Sequence, residues 1–90
     1  MDELSMSIAA VQSRIDALDV RREYLRLVVG IDDKAYVDNL AQMLALAAIR
    51  LRLEMQAFLN AGQESRAQAT ALEVQRTCSL VNELVANNAS

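Results

Sequence analysis

The residues able to do acid–base or covalent chemistry are few in this chain, and their spacing suits it poorly. There is no histidine, which removes the commonest general base and the commonest metal ligand. The single cysteine, Cys78, therefore has no Cys–His partner and cannot complete a usual zinc set. It falls within an apolar helical stripe, where a thiol acts as a small hydrophobe, and no adjacent residue obviously stabilises its thiolate. The two glycines, Gly30 and Gly62, stand 32 residues apart, so there is no glycine-rich phosphate loop. Asp32 and Asp33 form a carboxylate pair, but the turn signals around them favour helix capping. Asp2 and Glu3 similarly suit the first turn of a helix. The sequence predicts no catalytic, cofactor-binding or metal site, no cofactor and no small-molecule substrate, which is the profile of a non-enzymatic protein.

Four arginines, Arg14, Arg21, Arg22 and Arg26, make one segment locally basic. They could recognise an acidic partner or a phosphate. The simpler reading is a solvated face paired with Asp19 and Glu23. Nine basic against twelve acidic residues give a net charge of −3, which argues against a nucleic-acid partner.

Helices must position these groups. Leu4, Ile8, Val11, Ile15, Leu18, Arg22, Leu25 and Val29 alternate steps of four and three, a heptad seam over more than three repeats. A second stripe, Val20, Tyr24, Leu27 and Ile31, makes the later half of this helix apolar on two sides. One stripe can face a neighbouring helix; the other needs a third helix or another subunit. Met6, with Val20, holds an outer heptad position that hints at a further contact surface. Gly30 should end the helix in the left-handed conformation, with Ile31 folding back on Leu25. Asp32 is then the expected N-cap of helix 2, with Ile31 and Tyr36 as a hydrophobic staple.

The middle of helix 2 is apolar nearly all round, and the uncharged run from Asn39 to Ile49 is 11 residues long. Such a segment is usually buried on every side, and it is too short for a hydrocarbon core needing about 20 residues. Gly62 stops helix 2. Ser65 and Gln68 have capping-box spacing for helix 3, whose seam is Ala67, Ala71, Val74, Cys78, Val81 and Val85, widened by Leu80 and Leu84. Small residues there should let it pack closely on helix 2.

The expected fold is all-α, a single helical domain over residues 1–90. Its helices should span about 2–29, 33–60 and 66–86, with residues 87–90 fraying as a tail. Short connections make neighbouring helices antiparallel, giving an up-down-up bundle or a helical-hairpin-based homodimer. Registry about the turns sets Arg22 opposite Gln42, and Gln42 near Asn82. A polar layer of Arg22, Gln42 and Asn82 across the bundle follows as an expectation, and a charge in a seam often specifies register or partner. The alternative is that Arg22 reaches solvent along its aliphatic stem.

Composition supports helix-on-helix work. The chain is 53% hydrophobic but only 3% aromatic, with no proline, unlike strand-and-turn architectures. The acidic N-terminus is unlike a signal peptide, and one cysteine gives no sign of an oxidising compartment, so a cytoplasmic location is expected. The expected function is a small interaction protein that self-associates, as a dimer or larger, and binds or sequesters a helical segment of a partner. Its interface is expected to use Val20, Arg22, Tyr24, Leu27, Ile31, Met43 and Leu46. In size and character the chain resembles small acidic helical chaperones of bacterial secretion systems. It also resembles regulatory antagonists, phage-encoded ones included, that sequester a transcription factor or enzyme. No motif ties its residues to either. A structural packing subunit of a larger assembly is the second reading. A small DNA-binding regulator is the third, opposed by the charge and by helices too long for an ordinary helix-turn-helix.

Overall fold

The computed structural model describes residues 2–89, with side-chain surroundings through residue 87. It is all-α, with three long helices: α1 (Glu3–Val28), α2 (Lys34–Asn60) and α3 (Glu64–Ala89). Each begins and ends for local reasons. The Asp2 carboxylate caps α1 by accepting from the Ser5 N–H at 2.6 Å, and Glu3 and Arg26 complement the two ends of the helix dipole. Gly30 closes α1 at φ +91°, donating its N–H to Leu25 O at 3.1 Å. No heavy atom would obstruct a Cβ there, so backbone conformation alone calls for glycine.

Asp33, not Asp32, caps α2, accepting from the Ala35 N–H at 2.8 Å. The one-residue shift follows from a turn held by Asp33 N–H to Gly30 O at 3.3 Å. It also takes Ile31 and Tyr36 off the staple positions, and Ile31 is left 60% exposed instead of tucked over Leu25. Gly62, at φ +73°, ends α2, with the Gln63 N–H bonding Phe58 O at 2.8 Å. The third helix starts one residue before Ser65, so Ser65 and Gln68 lie inside it and form no capping box. It runs to Ala89, past the point where its apolar pattern stops, because no glycine or proline interrupts it; Ser90 lies outside the described residues.

The helices run up-down-up with α2 in the middle. The outer helices α1 and α3 nowhere approach within 8 Å, Cα to Cα. The array is therefore open and flattened, 45 × 27 × 15 Å. Its radius of gyration is 14.9 Å, against about 12 Å for a compact chain of this length. Its surface, 6157 Å², exceeds by about 950 Å² the area expected for a compact monomer of this mass.

The core is correspondingly thin. Leu25, Ala48, Leu51 and Ala67 are the buried apolar residues. Leu4, Ile8, Val11, Ile15 and Leu18 are half-buried, so the heptad seam of α1 faces α2 of its own chain. Alanines let α3 lie close to α2, as Ala48 and Ala67 show by their burial. The middle of α2 is not buried on every side: Gln42, Ala45 and Ile49 form an exposed ridge, because no layer of structure lies over it.

Candidate interaction surface

The second stripe of α1 points away from the rest of the molecule. Leu25 is buried, and Leu27 lies roughly 200° further round the helix. With α2 on the seam side and α3 out of reach, no described element covers this edge. Val20 is 73% exposed, Tyr24 62%, Leu27 71% and Ile31 60%, and the neighbouring Val28 is exposed too. Toward the N-terminus the same line passes through Ala17, Ser13, Ala10 and Met6, all exposed. The edge is thus a continuous apolar or small-residue strip, with its large side chains, Met6 apart, gathered at the C-terminal end.

Charges flank the strip in order. On one side stand Arg14 and Arg21, neither engaged in an ion pair among the described residues. On the other stand Asp16, which accepts from Gln12 Nε2 at 2.8 Å, and Glu23, ion-paired with Arg26 at 2.5 Å. The hydrogen bond from Arg26 holds the Glu23 carboxyl below its ordinary pKa, and the same pair raises Arg26. Arg22 pairs with Asp19 at 2.8 Å, and this partner, joined by the Tyr36 hydroxyl, raises the guanidinium pKa. Two of the four clustered arginines are therefore paired along the helix face.

The remaining residues anticipated at an interface lie elsewhere. Leu46 is half-buried and lines an open groove of about 430 Å³ between α1 and α2, with Arg14, Ala17, Leu18, Gln42 and Ala45. Met43 is half-buried, its sulfur 3.8 Å from Asn39 Nδ2. Arg22, Gln42 and Asn82 do not come together as a layer. Arg22 sits beside Asp19 and Tyr36, Gln42 is on the exposed ridge, and Asn82 lines a separate groove between α2 and α3 with Ala45 and Cys78. The register differs from a symmetric turn: Leu18, not Arg22, lies beside Gln42, and α2 separates the outer helices.

Two polar contacts that sequence reasoning missed join α1 to α2. Asn39 is only 3% exposed and donates from Nδ2 to Leu18 O at 2.9 Å. Arg50 donates to Gln12 Oε1, while its buried Nε lies 3.2 Å from Glu54 Oε1, an ion pair lacking hydrogen-bond geometry. An asparagine opening a long uncharged run was the available signal for the first. Cys78 is free and half-buried, with Arg52 Nη2 3.7 Å from its sulfur. Among the described residues no cluster of three His, Cys, Asp or Glu could hold a metal ion, and no helix is long and apolar enough to cross a membrane.

No protein-family model, curated protein or solved structure matches this chain.

Proposed function

We propose that this chain is a non-enzymatic interaction protein whose outer α1 edge docks helices of other polypeptide chains, by self-association and by holding a helical segment of a partner protein. The exposed stripe Val20, Tyr24, Leu27 and Ile31 carries this reading. Large apolar side chains at helical spacing, uncovered and flanked by charge, suit an amphipathic helix laid alongside. Burying them is favourable because it removes apolar surface from water. The flattened array supports a second reading, a packing subunit of a larger assembly, since both broad faces are also open.

Light scattering on the eluting native species, for wild type and Leu27→Glu, tests the proposal. The wild-type chain should elute as a complex, and the variant as a folded monomer of 9.9 kDa. Identical monomers in both cases would refute it.

A further inference from the structure

We infer that the occupant of the α1 edge is a second copy of this chain, with the two α1 helices parallel about a two-fold axis along their seam. This rests on the helix-docking reading above. Three observations support it. First, the helical part of the edge is a heptad line: Met6, Ser13, Val20 and Leu27 alternate with Ala10, Ala17 and Tyr24, and every one is exposed; the exposed Ile31 lies beyond Gly30, in the turn. A parallel pair sets small residues against small and large against large, so the helices meet along their whole length.

Second, the flanks match. Parallel pairing brings each flanking residue of one helix near the opposite flank of its mate, five residues further on. That places Asp16 against Arg21 of the second copy and, by symmetry, Arg21 against its Asp16. Arg21 has no ion pair among the described residues, and both side chains are exposed. An antiparallel pair centred on Arg22 would instead face Arg21 with Arg21 and Glu23 with Glu23, which is repulsive. Shifting it to match Tyr24 with Leu27 leaves less than about two turns of α1 in contact, because the helix ends at Val28.

Third, the areas agree. Over all its edges and faces the chain exposes about 950 Å² more than a compact monomer of its mass, more than the about 800 Å² that a standard interface takes from each partner.

The test uses the full chain carrying Cys78→Ala, so that one introduced thiol is present at a time. Val20→Cys and Leu27→Cys should each oxidise to a disulfide-linked dimer on their own, since a parallel pair sets each residue beside its equivalent. Cross-links that form only when Val20→Cys is mixed with Tyr24→Cys, or Tyr24→Cys with Leu27→Cys, would show an antiparallel pair and overturn the inference. Arg21→Glu should weaken dimerisation about tenfold, and adding Asp16→Arg should restore it to within about threefold. Failure of that rescue, with helicity intact by circular dichroism, would also overturn it. A complex lost in Leu27→Glu but lacking same-residue cross-links removes the parallel homodimer and leaves helix docking standing. A wild-type protein that stays monomeric and binds nothing removes both.

Discussion

Leu25 and Leu27 lie two residues apart on α1, and truncating each to alanine should have opposite consequences. Leu25 is 8% exposed and Leu27 71%. Leu25→Ala removes buried carbons and opens a cavity, which costs about 2–4 kcal/mol. A chain of this length has roughly 5–13 kcal/mol in total, so the loss should show as a large fall in the urea midpoint at every protein concentration. Leu27→Ala removes a side chain that the folded monomer leaves in water, so the monomer's midpoint should shift by less than about 0.5 kcal/mol. Association should respond instead. Covering the 71% of Leu27 still open is worth about 1–2 kcal/mol per copy, or about 30- to 700-fold in Kd for a two-fold pair. Urea titrations followed by circular dichroism at two concentrations, with sedimentation equilibrium on the same samples, separate these effects. If Leu27→Ala lowered the midpoint of a monomeric sample as far as Leu25→Ala, the stripe would belong to the intrachain core. If it left association untouched, the edge would not be the docking surface.

Three further outcomes follow from the fold. Asn39→Ala should destabilise by about 1–2 kcal/mol in chemical denaturation, since a buried side chain and its bond to Leu18 O are lost; no change would mean this contact does not tie α1 to α2. Gly30→Ala should cost about 1–2 kcal/mol in thermal melts, because alanine resists φ +91° although space is open. The carboxyls of Asp2 and Glu23 are held below their ordinary values, near 3.8 and 4.5, chiefly by hydrogen bonds from Ser5 and Arg26 respectively. Their stabilisation is complete above those values and is lost as pH falls through the lower folded ones. Helicity in a pH titration should therefore decline on the acid side of about pH 4, and less so in Asp2→Asn, which cannot titrate there.

Periodicity made much of this legible in the sequence. The seam of α1, its second stripe, both glycine stops and the three antiparallel helices all follow from residue spacing, because helical geometry fixes which positions share a face. What spacing cannot supply is how helices are arranged around one another. A second apolar stripe is equally consistent with a third helix of the same chain and with another subunit. The structure removes the first of these for α1: α3 lies on the far side of α2, and no described helix covers the stripe. A layer of Arg22, Gln42 and Asn82 presumes symmetric turns, whereas the register is set by the turn itself. The shift of the α2 cap to Asp33 and the pairing of Leu18 with Asn39 were not readable from residue types. Asparagine is commonly exposed, and only tertiary packing buries Asn39.

The flattened shape links these local facts to association. A closed three-helix bundle brings each helix against both others, giving it two contact sides. Here only α2 has two, while α1 and α3 have one each. A helix with one apolar stripe is satisfied by one neighbour, and much of α3 has that narrow pattern: Ala67 is buried, while Ala71, Val74, Cys78 and Val81 are half-buried against α2. The outer helix α1 differs, since its C-terminal half carries two stripes and meets one neighbour. Removing α3 would leave that imbalance unchanged, because α3 never reaches α1. Adding a helix at the outer α1 edge would relieve it, whether that helix came from a second copy or another protein. The same charge order that permits a parallel copy, basic on one flank and acidic on the other, would penalise an incoming helix of mismatched sign. On the proposed reading, apolar burial would drive association at this edge and the flanking charges would select what associates.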